Sequence, residues 1–346
     1  MLTQQTSIQD IQQFLQISRR HPELVEQPFQ LTLSNQTLVT VKAPGVICFE
    51  PEDAGCKDVV YSCGIHGNET APIEICDELV QRIFKEEVVL RHRLMVIFGN
   101  LPAMDIAERF VEENMNRLFS GEHANPNIPV NAERRRAALL EEQVKQFFDG
   151  AADGNRQRFH YDLHTAIRDS KNEKFAVYPF THGAPRSSEQ LVFLQKCGVE
   201  TILLSESPTT TFSYFSARQF GAHAFTVELG KVRPFGQNDM SRFSQAKATL
   251  TQLVSVDDMD LSGFDSANFD IYTVNQIINR ETDDFELCFN DDTPNFTDYQ
   301  KGTILARDGK KNYVAQQDGE AIVFPNAKVA LGQRALLTVV PASLNE

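Results

Sequence analysis

Apolar and polar positions alternate through residues 30–50, as in Leu38-Val39-Thr40-Val41, and predict early strands. Ahead of them, Ile8 to Ile17 reads as a short helix followed by an exposed stretch. Asp58 to Cys63 reads as a strand that ends at a glycine. Beyond it the period changes: Ile73, Cys76, Leu79, Val80, Ile83 and Phe84 recur at helical spacing, which predicts a helix with one apolar face. Pro72 sits where that helix can begin, because its missing N–H costs nothing in a first turn. Arg93 to Phe98 reads as a buried strand and Ala132 to Phe148 as a long charged helix. Phe159 to His164, Phe175 to Pro179, Glu200 to Leu204 and Ala224 to Leu229 read as further strands. That order predicts an α/β fold whose central sheet is mixed, largely parallel and flanked by helices.

The pattern shifts near residue 255. From Asp270 onward, short apolar runs are punctuated by Gly, Asp and Asn: Ile271 to Ile278, Phe285 to Phe289, Thr303 to Ala306, Ala321 to Phe324 and Ala335 to Val340. They predict a smaller C-terminal β domain. The expected division is a catalytic α/β domain over 1–255 and a β domain over 256–346, which the chain's 346 residues can accommodate. The acidic stretch Val256 to Asp260 reads equally as a linker or as a solvated loop within one domain.

Composition narrows the function. A net charge of −14 argues against a nucleic-acid partner, whose phosphates need a basic face. It also repels small anions on average, so an anionic substrate would need a local cluster of arginines. No apolar run approaches the roughly 20 residues that cross a bilayer, so no membrane partner is expected. Met1 to Thr6 has neither the basic start nor the apolar stretch of a signal peptide, which points to a cytoplasmic location. The six cysteines form no CxxC pair and read as reduced, mostly buried thiols.

His66-Gly-Asn-Glu69 and Asp162-Leu-His164 carry the chemistry. Two imidazoles and a carboxylate suit a catalytic zinc, which takes three protein ligands and keeps a fourth place for water. His66 and Glu69 fall between a strand end and a helix start, and His164 at the end of another strand, where open α/β sheets bind ligands. Gly67 allows a tight turn between the first two. Asp162, two residues before His164, points the same way on a strand and can orient the imidazole. Ordinary hydrogen-bonded histidines are the competing explanation. A hydrolytic zinc site also needs a carboxylate beside its water. Glu228, in the apolar strand Ala224 to Gly230, is the candidate, because an unpaired charge is costly there. Glu206, in more polar surroundings, is its competitor.

Taken together, His66-Gly-Asn-Glu69, Asp162-Leu-His-Thr165 and Val227-Glu-Leu-Gly230 resemble the aspartoacylase and succinylglutamate desuccinylase branch of the zinc carboxypeptidase superfamily, over roughly residues 55–245. The stretch from Gly64 to Glu74, the segment Phe110 to Phe119 and the ending Phe324-Pro-Asn…Gly332-Gln-Arg-Ala335 are closest to the desuccinylase members. The resemblance implies one Zn²⁺ per subunit on His66, Glu69 and His164, with Glu228 as general base. It implies an amidohydrolase that splits N-succinyl-L-glutamate into succinate and L-glutamate, the last step of a route of arginine breakdown. Four substrate residues carry over. Arg109 stands seven residues before Asn116 and is expected to stabilise the oxyanion; Asn116, Arg117 and Arg218, ten before Glu228, are expected to clamp substrate carboxylates. Where the family often reads Asp-Leu-Asn-Arg, this chain has Asn114-Met-Asn-Arg117, which removes a partner for Arg117. The C-terminal domain contributes no assignable site residue and is expected to cover the cleft against longer peptides. An aspartoacylase-like N-acyl amino acid hydrolase, a small carboxypeptidase and a non-catalytic zinc or ligand-binding protein stay open as alternatives.

Overall fold

A computed structural model describes residues 11–150 and 156–344. The start of the predicted N-terminal helix, residues 8–10, lies outside the described residues; the described helix α1 is Phe14–Arg20. The strands are β1 (Phe29–Thr32), β2 (Leu38–Ala43), β3 (Val46–Glu50), β4 (Lys57–Cys63), β5 (Arg93–Phe98), β6 (Gln157–Ala166), β7 (Phe175–Tyr178), β8 (Thr201–Leu204), β9 (His223–Lys231), β10 (Asp270–Asn279), β11 (Glu286–Leu287), β12 (Thr297–Tyr299), β13 (Ile304–Asp308), β14 (Lys311–Val314), β15 (Glu320–Val323) and β16 (Arg334–Pro341). After α1 come α2 (Thr70–Phe84), α3 (Leu101–Asp105), α4 (Ala132–Asp149), α5 (Ser188–Lys196), α6 (Phe212–Phe220) and α7 (Ser244–Ser255).

One sheet runs in the order β1-β2-β3-β5-β4-β6-β9-β7-β8-β10-β16-β15-β12, and β11-β13-β14 form a second, small antiparallel sheet. At its centre β5, β4, β6 and β9 are mutually parallel. Strand β7 runs antiparallel to β9, so the sheet is mixed. The central strands are apolar on both faces. Val59, Tyr61 and Cys63 enter one core, with α2 and α5, while Val60 enters another with α4 and α6. Burial on both faces is why these strands read as continuous apolar runs. The predicted apolar face of α2 is buried throughout, and its helix begins at Thr70, with Pro72 in the first turn.

The C-terminal β unit is continuous with the main sheet. Strand β10 pairs in parallel with β8 and antiparallel with β16. The acidic stretch after α7 is pinned to the main α/β unit, with Lys57 Nζ 2.9 Å from Asp258 Oδ1 and Arg91 paired to Asp257. It behaves as a docked loop rather than a free linker. All six cysteines are free, four of them buried.

Candidate metal and substrate cleft

Three of the central parallel strands, β4, β6 and β9, deliver the reactive groups to one edge of the sheet. After β4, Gly64 takes a left-handed turn at φ +62°, which a side chain would resist. Gly67 is needed for a different reason from the one its sequence position implies: a Cβ there would lie 2.2 Å from the Ala103 carbonyl carbon in α3. The loop can hold His66 and Glu69 in place only because α3 touches bare backbone at Gly67. His164 comes from β6, and Glu228 from β9 stands opposite it in register.

His66, Glu69 and His164 are all buried, and one ligand atom from each lies within 4.8 Å of the others. His66 Nε2 is 2.9 Å from Asn114 Oδ1, an oxygen that also accepts the Asn116 N–H. The network therefore puts the His66 proton on Nε2. Its bare Nδ1 points at Glu69 Oε1, 2.8 Å away, so two lone pairs face each other. Burial first, and the Arg109 charge second, push this imidazole down to about 4, which keeps it neutral. His164 sits between two carboxylates. Its Nε2 lies 2.9 Å from Asp162 Oδ2, leaving Nδ1 2.8 Å from Glu69 Oε2. Burial lowers the proton affinity of His164, but Asp162 and Glu69 outweigh it and raise it well above the ordinary imidazole range. An unpartnered His66 Nδ1 facing Glu69, with a second imidazole nitrogen on the same carboxylate, fits a divalent cation, and two His with one Glu fit zinc.

Asp162 is itself held by Ser62, whose hydroxyl donates to Oδ1 at 2.6 Å and sits 2.8 Å from His160 Nε2. The ring's other nitrogen is 2.7 Å from Ser216 Oγ. This buried chain of polar groups locks the His164 ring from behind. Sequence reasoning reached Asp162 but not Ser62, His160 or Ser216, since only strand and helix packing brings them together.

Glu228 is buried, and its Oε2 is without a hydrogen-bond partner among the described residues. Burial, then the neighbouring Glu69 charge, raises its carboxyl from 4.5 to about 7. A carboxylate tuned near neutrality beside a cation site can accept a proton and return it. Its competitor Glu206 is exposed, 3.5 Å from Arg186, and takes no part in the cleft wall.

The cleft over these groups encloses about 160 Å³ and is lined by Arg109, Asn116 and Arg117 as well as His66, Glu69, His164 and Glu228. Arg109 donates to Glu69 Oε1 at 2.6 Å. Asn116 accepts the Phe212 N–H at 3.1 Å and so ties the loop to α6. Asn114, in place of the aspartate, gives its side chain to His66 and not to Arg117. Arg117 donates to the Asn116 carbonyl at 2.7 Å. Burial, then the charges of Arg334 and Arg109, holds its proton affinity well below the usual guanidinium range.

Arg218 corrects an expectation. It lies exposed near the end of α6 and does not line the cleft. The helix turns its buried face, Phe212 to Ser216, toward the sheet, and Arg218 falls on the other side. The C-terminal unit supplies what counting along the chain missed: Arg334, Phe324 and Asn295 all line the cleft. The signal was present in the Phe324-Pro-Asn…Gln-Arg-Ala335 ending, but no local pattern pointed it at the zinc motif.

The family model described as Succinylglutamate desuccinylase/Aspartoacylase catalytic domain matches residues 56–254. The AstE/AspA barrel-sandwich hybrid domain matches residues 267–342. Among curated relatives, the succinylglutamate desuccinylase of Pseudoalteromonas atlantica is 56% identical over 334 residues, covering 96% of this chain and 95% of that protein. That of Idiomarina loihiensis is 56% identical over 327 residues, covering 94% and 95%. The crystal structure of the succinylglutamate desuccinylase from Chromobacterium violaceum aligns with a TM-score of 0.84 at 38% identity, covering 97% of this chain and 99% of that one. The Vibrio parahaemolyticus enzyme aligns with a TM-score of 0.85 at 35% identity, covering 95% of each chain. With the His-Glu-His cluster seated at the edge where the matched catalytic region places its strand ends, the chain belongs to the succinylglutamate desuccinylase/aspartoacylase family.

Proposed function

We propose that this chain is a zinc-dependent amidohydrolase that cleaves N-succinyl-L-glutamate to succinate and L-glutamate. The observation that carries the reading is the convergence of His66, Glu69 and His164 within 4.8 Å in a cleft that also holds Glu228. The acyl group and the amino acid come from the likeness to relatives named for that substrate.

One zinc ion held by those three residues would supply Lewis-acid polarisation of the amide carbonyl and acidification of water. Glu228 takes the proton of the attacking water and delivers it to the departing amide nitrogen. Arg109, held against Glu69, presents its remaining N–H groups to the oxyanion. Asn116 and Arg117 hold substrate carboxylates. Asp162 orients the His164 ring through Nε2, so that Nδ1 is aimed at the ligand cluster. Residues 1–255 form the catalytic unit in this reading, and 256–346 the β unit that closes its cleft.

Among the described residues, no helix is long and apolar enough to cross a membrane. A cytoplasmic location is part of the proposal. The direct test is hydrolysis of N-succinylglutamate and N-acetylaspartate by the purified protein, with and without a chelator. Chelator-sensitive turnover that favours N-succinylglutamate is expected; preference for N-acetylaspartate would move the assignment to the aspartoacylase side.

A further inference from the structure

Arg334 opens β16, where its pairing with Asn279 follows a register shift in β10. It reaches the cleft from the C-terminal unit, more than two hundred residues along the chain from Arg117. The Phe324 ring packs against its guanidinium, 5.5 Å from centroid to Cζ. Phe324 itself sits at φ +54°, a conformation that is costly for a bulky side chain. It is held there by Asn295, whose Oδ1 accepts the Phe324 N–H at 2.9 Å. The buried Arg334 Nε is without a hydrogen-bond partner among the described residues.

The charges around Arg334 sharpen the picture. Arg117 feels Arg334 and Arg109, and Arg334 feels Arg109, with no acid among the influences on either. Arg109 acts on His66, Glu69 and Glu228, whereas Arg334 is not among the charges that shift them. Arg109 is already paired with Glu69, which leaves Arg117 and Arg334 in the cleft as like charges that repel until an anion enters. Planar, bidentate donors select carboxylate.

We propose that Arg334 is a specificity-determining residue that receives a substrate carboxylate remote from the scissile amide, so that the C-terminal unit completes the substrate site. The proposal rests on the reading of the cleft as an N-acyl amino acid hydrolase site.

The test compares Arg334→Gln and Arg334→Lys with wild type on N-succinylglutamate and on two analogues. In one, N-succinylglutamine, the glutamate side-chain carboxylate is an amide; in the other, the distal succinyl carboxylate is an amide. Arg334→Gln should lower kcat/KM for N-succinylglutamate roughly 10- to 100-fold, chiefly through KM, as expected for losing a charge-assisted hydrogen bond. The loss should shrink at least tenfold on one analogue, which names the carboxylate, and Arg334→Lys should restore part of it. An equal loss on all three substrates, or none on N-succinylglutamate, overturns the proposal. If wild type does not turn over N-succinylglutamate, the functional reading fails separately. Calorimetric binding of glutarate then decides: weaker binding to Arg334→Gln than to wild type supports the role, and equal binding overturns it.

Discussion

At the residue scale, the proposed chemistry depends on one carboxyl that is costly to keep. Glu228 is raised to about 7 by burial and then by Glu69, so the folded protein resists ionising it. A carboxyl raised above its unfolded value costs stability as pH climbs from about 4.5 toward 7, because the unfolded chain ionises first. In metal-free protein, Glu228→Gln should therefore be more stable than wild type at pH 8, by up to about 3 kcal/mol, and no more stable near pH 4. Urea denaturation at the two pH values measures this; an advantage independent of pH would contradict it. The same position should dominate the rate. Glu228→Ala is expected to keep its zinc and lose roughly 10²–10⁴ in kcat, the usual worth of general-base help. Near-normal turnover would remove Glu228 from its role. His66→Ala should lose zinc, and full occupancy by metal analysis would refute the ligand assignment. Residue types in short motifs were readable here because HGNE and DLH are local, and the strand and loop that carry them need only end at the same edge.

At the element scale, β4, β6 and β9 act as parallel rails whose carboxyl ends define the site. Their apolar runs made them visible, and α2 and α4 were visible from their periodicity. Strands β12 and β14 and helices α3, α5, α6 and α7 were not individually evident, as short elements leave few repeats of their pattern to detect. Gly67 shows how element contacts refine a sequence inference: its purpose is the close approach of α3, not the turn alone. Gly67→Ala should push the His66–Glu69 loop off α3, whose N-terminus is fixed by the Asn100 side chain. Lower zinc affinity and a lower Tm are the expected results, and metal titration with thermal melting will show them. Arg218 failed at this scale. A fixed offset from Glu228 cannot say which side of α6 an arginine occupies, and packing of Phe212 and Phe215 turned it outward.

At the scale of the whole molecule, the C-terminal unit forms a wall of the cleft. Leu203 of β8 packs with Phe296, Val323 and Leu337 in one cluster. Deleting residues beyond about Asp260 would expose that cluster and leave the β8 edge unpaired. The truncated chain should aggregate or melt at a markedly lower temperature, by light scattering and calorimetry, rather than persist as a less selective enzyme. An unchanged Tm would show that the two units are independent. What the sequence determined by itself was the alternation of strands and helices and the zinc-type motifs, because period and residue chemistry are local properties. The meeting of Arg334 with Arg117, the retreat of Arg218 and the polar chain behind His164 were decided only by tertiary structure. Strand order, register and the facing of helices bring distant positions together, and none of these is encoded in any single stretch of chain.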